Sequence, residues 1–183
     1  MTPSLRFLAT LTTTLAIVVA AESAGAQTPA ETPKCSSDSV FHVLDFWVGD
    51  WNVVDSTGAK LGTNRIEKIL DGCAIAESWR ETDGEGRSLF YYVPSQRLWK
   101  QVWVTPQTLV PGGVKEKHLI AQSKETVRFQ GEIVGPRGGR VIDRTTLSTM
   151  SGGRVRQVIE ISRDGGTTWR TTFDGIYVRA TKP

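Results

Sequence analysis

The chain has 183 residues, with 22 lysines and arginines against 19 aspartates and glutamates, so its formal net charge is +3. This small basic excess is spread along the chain without a block of basic residues, which argues against a nucleic-acid partner. No long amphipathic helix follows residue 47. Instead, about ten short segments alternate polar and apolar residues between turns, which predicts an all-β protein.

Residues 1–26 are typical of a secretory signal peptide. Arg6 precedes an apolar run over 7–21, and the small residues at 24–26 form a cleavage site. The run is too short for a membrane span and ends at Glu22. We therefore expect a periplasmic or secreted protein with no transmembrane segment after cleavage.

Residues 27–37 are rich in Thr, Pro and Ser and are predicted to form a flexible linker before one domain over 38–183. Two cysteines remain, Cys35 and Cys73. Because an exported chain meets an oxidising compartment, the favoured interpretation is a Cys35–Cys73 disulfide, with two free buried thiols as the alternative. Closing so long a loop stabilises the fold by roughly 4 kcal/mol in the chain-entropy description.

In chain order, Asp38 or Ser39 is predicted to cap a short helix that runs to Leu44. Turns rich in Gly, Pro, Asp and Ser then separate ten predicted strands. The strands are 50–55, 61–70, 73–82, 87–93, 98–104, 115–122, 126–134, 140–148, 154–162 and 169–179. Because the connections are short, we expect an antiparallel up-and-down β-barrel of about ten strands with a short amino-terminal helix.

One well-defined turn motif lies before the last strand, at Ser162-Arg163-Asp164-Gly165-Gly166-Thr167-Thr168-Trp169. Its aspartate can accept hydrogen bonds from turn amides, its glycines supply positive φ, and its tryptophan can pack beneath the turn. In repeated form this pattern is found in sialidase-type propellers. A single copy in a chain of this length predicts a structural hairpin.

The inward faces of the strands follow from the preference of charged side chains for water. Lys100 facing outward turns Trp99, Gln101 and Trp103 inward. In the last strand the predicted inward set is Trp169, Thr171, Phe173 and Tyr177. The candidate ligand-binding residues are Glu77, Trp79, Tyr91, Gln101, Trp103, Arg144, Gln157 and Tyr177.

Two interpretations of these inward polar residues compete. In one, Glu77 pairs with Arg144, the glutamines satisfy each other, and the barrel is filled with side chains. In the other, the polar groups and the aromatic rings surround a cavity that orients a small, mostly apolar molecule. A third possibility is a barrel enzyme that uses Glu77 as an acid or base, because an apolar site raises the pKa of a carboxyl group.

The sequence offers little support for a metal or a cofactor. Its two histidines, His42 and His118, stand alone, and no zinc-ligand spacing is present. A haem ligated by His118 inside the barrel is a weaker alternative. We expect no cofactor, no metal and no catalytic residue set.

Three tryptophan motifs follow one another along the chain: Phe46-Trp47-Val48-Gly49-Asp50-Trp51, then Gly72-Cys73 with Glu77-Ser78-Trp79, then Trp99-Lys100-Gln101-Val102-Trp103. Together they resemble those of exported bacterial lipocalin-like (calycin) barrel proteins of unknown function. The resemblance implies a barrel in which the Gly-x-Trp tryptophan closes one end, with Arg179 as the candidate basic residue of the closing motif. The resemblance assigns no established activity to any residue of this chain.

The sequence therefore predicts an exported lipocalin-like protein that binds a small hydrophobic or amphipathic molecule in the barrel interior. Two alternatives remain at this point. One is the barrel enzyme using Glu77, and the other is a filled-core envelope protein that acts through surface contacts.

Overall fold

The structure is a computed structural model that describes residues 34–135 and 137–181. The predicted signal peptide and residues 27–33 of the predicted linker lie outside the described residues. The first described segments are the 3-10 turns Cys35–Ser37, Ser39–His42 and Asp45–Trp47. Asp38 caps the second turn, since its Oδ1 accepts a hydrogen bond from the backbone of Val40 at 3.0 Å.

Ten antiparallel strands follow and close into a barrel in the order β1-β10-β9-β8-β7-β6-β5-β4-β3-β2. The strands are β1 (Gly49–Val54), β2 (Lys60–Ile69), β3 (Ala74–Glu81), β4 (Gly84–Val93), β5 (Leu98–Val104), β6 (Val114–Gln122), β7 (Thr126–Val134), β8 (Arg140–Met150), β9 (Arg154–Ser162) and β10 (Arg170–Arg179). The predicted fold class is confirmed, and no strand boundary differs from its prediction by more than three residues. Within the described residues, none of the helical segments has the length and apolar character needed to cross a bilayer.

The 3-10 turns that precede β1 cover one end of the barrel, here called the closed end. Trp47 and Trp51 are fully buried there, and the Trp51 indole donates a hydrogen bond to the Trp47 carbonyl at 2.8 Å. The Arg179 guanidinium lies over the Trp51 ring at 3.9 Å and donates to the Val48 carbonyl at 2.6 Å. These contacts join the first and last strands across the β1–β10 seam.

An apolar core fills the half of the barrel next to the closed end. Its aromatic rings meet edge to face, as Trp47 does with Phe90 at 5.6 Å between centroids and Phe90 with Phe129 at 5.3 Å. The other buried apolar members in this half are Leu44, Trp51, Val53, Ile66, Ile75, Trp99, Val127, Leu147, Val155 and Tyr177, and Trp79 joins the same cluster from the open-end side. This half of the interior is therefore packed with side chains.

The predicted disulfide is confirmed between Cys35 and Cys73. Cys73 lies at the end of the turn Leu70–Gly72, one residue before β3 rather than inside a strand. The bond ties the first described turn to the β2–β3 connection at the closed end.

The motif before β10 forms the expected hairpin. Asp164 accepts hydrogen bonds from the Ser162 hydroxyl at 2.7 Å and from the backbone of Thr168 at 2.8 Å. A further bond from the Thr168 hydroxyl is the largest of the contributions that lower the pKa of Asp164 to about 2. The Trp169 indole donates to the Gly166 carbonyl at 2.9 Å and so packs under the turn.

Candidate functional site

A set of polar side chains crosses the barrel interior between the apolar core and the opposite end, here called the open end. The order along β3 shows the arrangement, because Ile75 belongs to the core, Glu77 is buried above it, and Trp79 lies nearer the open end. We call this set the polar layer. Its buried members are Asn64, Glu77, Ser88, Gln101, Lys117, Asp143, Thr145 and Gln157, and the Tyr177 hydroxyl joins them.

Glu77 is the centre of one hydrogen-bonded group in the polar layer. Asn64 donates from Nδ2 to Glu77 Oε1 at 2.8 Å and to the Tyr177 hydroxyl at 3.1 Å, and that hydroxyl donates to Gln157 at 2.6 Å. Desolvation raises the pKa of Glu77, while hydrogen bonds from Ser88 and Asn64 and the nearby charge of Lys117 oppose the rise. The carboxyl group is therefore held in place by several strands at once.

Lys117 and Asp143 form the second group. The Lys117 ammonium donates to Asp143 Oδ1 and to the Thr145 hydroxyl, the latter at 2.6 Å. Lys115 Nζ lies 3.0 Å from Asp143 Oδ2, at ion-pair distance but without hydrogen-bond geometry. Burial lowers the pKa of Lys117, and the Asp143 carboxylate opposes that effect. An ammonium and a carboxylate are thus paired inside the barrel.

A cavity of about 180 Å³ lies on the open-end side of the polar layer. Its apolar wall consists of Trp79, Trp103, Ile159 and Phe173, and polar-layer side chains such as Gln101 line its base. The lining of the cavity therefore changes from polar side chains at its base to aromatic rings on its wall. An arrangement of this kind orients a molecule that has one polar end and an apolar body.

Two glycines make room for the indoles of the cavity wall. A Cβ on Gly86 would lie 2.1 Å from the Trp103 ring, and a Cβ on Gly62 would lie 2.7 Å from the Trp79 ring. Real side-chain atoms do not approach so closely, so a larger residue at Gly86 displaces the Trp103 ring, and one at Gly62 displaces both the Trp79 ring and the Arg80 backbone carbonyl, which would lie 2.4 Å away. The glycines therefore set the width of the cavity.

A wider cleft of about 740 Å³ lies at the open end, and Lys115 lines both it and the cavity. We call it the mouth cleft. Arg137, Arg163 and Arg170 line it together with Val110 and Pro111 of the β5–β6 connection. Within residues 34–135 and 137–181, none of these three arginines forms an ion pair. The rim of the cleft is therefore positively charged.

The structure brings six of the eight candidate residues together. All of them line the cavity: Glu77, Trp79, Gln101, Trp103, Gln157 and Tyr177.

The predicted inward orientation of Tyr91 and Arg144 is wrong. Tyr91 is 36% exposed, because the neighbouring Phe90 takes the inward position on β4. Arg144 lies on the outer face of β8, where it donates to Glu160 at 2.9 Å and covers the Trp169 ring at 3.6 Å. The predicted pair between Glu77 and Arg144 is therefore absent from the structure.

The face prediction for the start of the last strand is also wrong. Trp169 precedes β10 and packs against the outward Arg144, and Thr171 is exposed opposite the outward Glu160. A β-bulge between Thr171 and Phe173 shifts the alternation, so Phe173 still faces inward.

Sequence reasoning missed five polar members of the interior: Asn64, Ser88, Lys117, Asp143 and Thr145. The rule that charged residues face water conceals a lysine and an aspartate that face each other on different strands. A usable signal was present on β8 and β9, where the register places Arg144 opposite Glu160. An Arg–Glu pair fits the outer face of the barrel. With Arg144 facing outward, the adjacent Asp143 must face inward.

No protein-family model matches this chain, and the comparison with curated proteins finds no matching relative. The class that the structure establishes is a closed, ten-stranded antiparallel barrel whose topology is compatible with a lipocalin-like fold. Within the described residues, no group of three or more His, Cys, Asp or Glu side chains is arranged to hold a metal ion.

Replacing Glu77 by glutamine is expected to change how stability depends on pH. Because the folded-state pKa of Glu77 is raised, the folded chain holds this proton more tightly than the unfolded chain does. The stability that this tighter proton binding contributes is fully present below pH 4.5, the ordinary pKa of the group. It is lost as pH rises through the folded-state pKa of Glu77. Urea unfolding at a series of pH values should show a shallower decline above pH 4.5 for Glu77→Gln than for the parent chain. An unchanged slope would contradict this.

Proposed function

We propose that this chain is an exported, lipocalin-like protein that binds a small hydrophobic or amphipathic molecule in the open half of its barrel. The observation that carries the proposal is the cavity itself, with aromatic rings on its wall and hydrogen-bonding groups at its base. The contact between Trp51 and Arg179 after the 3-10 turns supports the lipocalin-like assignment, since both residues were expected to close one end.

The size of the cavity limits the ligand. A cavity of about 150 Å³ is large enough to hold benzene, and drug-sized pockets usually exceed about 300 Å³. The cavity here, at about 180 Å³, suits one ring or a short chain. A longer molecule would extend past Lys115 into the mouth cleft.

The chemistry of the cavity assigns a direction to the ligand. The apolar part lies against Trp79, Trp103 and Phe173, and a polar group is positioned to meet Gln101 or Gln157 at the base. Tyr91 and Arg144 lie on the outer face and take no part.

The binding test uses N-phenyl-1-naphthylamine, an apolar fluorescent amine, titrated into the protein. One of its rings fits the cavity, and the rest of the probe extends past Lys115 into the mouth cleft. The parent chain is expected to enhance the probe fluorescence saturably, with quenching of tryptophan emission. Native mass spectrometry of protein purified from its own host should also show a bound small molecule that denaturation releases. If neither measurement detects a ligand, the proposal is wrong.

The variant Gly86→Val is expected to weaken probe binding roughly tenfold, because the new side chain pushes the Trp103 indole into the cavity. A tenfold loss of affinity corresponds to about 1.4 kcal/mol of binding free energy. Arg87→Val is the matched control, since it adds the same side chain to the outer face of β4. Equal loss in both variants would show that the effect does not come from the cavity.

A further inference from the structure

Among the described residues, five of the ten exposed large apolar side chains lie together at one part of the open end. Leu109 is 99% exposed and Val110 is 54% exposed on the β5–β6 connection. Three more exposed valines stand at the ends of the strands beside it: Val104 and Val114, which pair across β5 and β6, and Val134 on β7. We call these five residues the apolar rim.

The apolar rim adjoins the basic side chains of the mouth cleft. Val110 lines the same cleft as Arg137, Arg163 and Arg170, and all three arginines are exposed. The turn that carries Arg137 begins directly after Val134. Apolar and cationic groups therefore share one surface around the entrance to the barrel.

We propose that the open end of the barrel docks on an anionic lipid bilayer. Apolar side chains at an exposed tip can enter the boundary between head groups and acyl chains, while lysines and arginines beside them attract anionic head groups. Leu109 and Val110 are the inserting residues, and Arg137, Arg163 and Arg170 meet the phosphates. Docking in this orientation places the mouth cleft and the cavity behind it directly against the lipid.

A bilayer suits this surface because three exposed arginines and five exposed apolar side chains adjoin one another around the opening of the cylinder. The closed end supplies control positions for variants of the open end. Leu70 is 72% exposed in the β2–β3 connection and Lys124 is exposed in the β6–β7 connection, both at the closed end. Each is a matched control for a rim residue.

The experiment is vesicle flotation with the protein as purified from its host, all variants having the same amino terminus. Vesicles of phosphatidylcholine alone are compared with vesicles containing phosphatidylglycerol, at low and at high salt. The parent chain is expected to float with the anionic vesicles only, and to dissociate as salt screens the charges.

Neutralising two arginines together, as Arg163→Gln with Arg170→Gln, should lower the vesicle partition coefficient about 30-fold, since each basic residue near an anionic surface contributes about fivefold. Leu109→Ser should lower it about tenfold through the loss of one buried leucine side chain. Leu70→Ser and Lys124→Gln should leave it unchanged.

Three results would overturn the proposal. The first is no binding to anionic vesicles at low salt, and the second is equal loss of binding in the rim and closed-end variants. The third is concentration-dependent dimerisation that Leu109→Ser abolishes in the absence of lipid, because the apolar rim would then be a contact between two copies. Probe binding to the cavity is a separate readout, so failure of membrane docking leaves the proposed ligand binding intact.

Discussion

Replacing Lys117 by methionine is expected to lower the free energy of unfolding by about 3–5 kcal/mol. Methionine keeps most of the side-chain volume but leaves Asp143, which is 0% exposed, without its principal cation. The partly exposed Lys115 remains 3.0 Å from Asp143 Oδ2, but the buried carboxylate loses its closest cation and its hydrogen-bond donor, which costs more than the loss of one neutral hydrogen bond. Urea unfolding at neutral pH measures the change directly.

A double-mutant cycle separates the ion pair from general damage to the interior. Asp143→Asn in the Lys117→Met background should recover most of the loss, because it removes the isolated charge. Lys115→Met is the matched control on the same strand, and it should cost no more than about 1 kcal/mol, since Lys115 is partly exposed and Lys117 remains in place. A loss below about 1 kcal/mol for Lys117→Met itself would show that water or another cation already compensates Asp143.

Removing the disulfide with the double variant Cys35→Ser, Cys73→Ser is expected to cost about 4 kcal/mol. The bond closes a loop with a sequence separation of 38 residues and so restricts the unfolded chain. For a domain of this size, such a loss lowers Tm by roughly 8–16 °C. Calorimetry of the variant gives the shift.

The parent protein treated with a thiol reductant is the control for the disulfide prediction. It should melt at the same lowered temperature as the double variant, because both lose the same covalent constraint. A difference of several degrees between them would mean that the serines, rather than the missing bond, cause the change. A loss below about 1 kcal/mol in the double variant would contradict the prediction.

The strands were predictable from the sequence because two signals agree at nearly every boundary. Polar and apolar residues alternate within each strand, and Gly, Asp, Pro or Ser mark the connections. Because all connections are short, only one pairing order was plausible. The disulfide followed from the number of cysteines and the expected compartment.

The interior was only partly predictable, because the face of a strand depends on its neighbours. On β8 the outward Ile142 and the inward Val141 are equally apolar, so alternation alone does not choose between Asp143 and Arg144. The cross-strand partner Glu160 decides it. On β4 the adjacent Phe90 and Tyr91 present the same ambiguity.

The cavity itself could not be derived from the sequence. Its width depends on where the Trp79 and Trp103 rings come to rest, and that depends on Gly62 and Gly86 on the adjoining strands. Small and large residues that face each other across strands fix this volume only once the register is known. Sequence reasoning therefore identified both tryptophans but left a hollow and a filled barrel as competing interpretations.

The pairing of β1 with β10 has a consequence for how the chain can be rearranged. Nine of the ten ladders join strands adjacent in the sequence, and the β1–β10 ladder alone joins the first strand to the last. A peptide linking the end of β10 to Lys34, the first described residue, would therefore turn that ladder into one more local connection. New ends opened at the exposed turn Ser151–Gly153 would give a circular permutant that keeps every ladder, with its longest-range contact moved to the junction of β8 and β9.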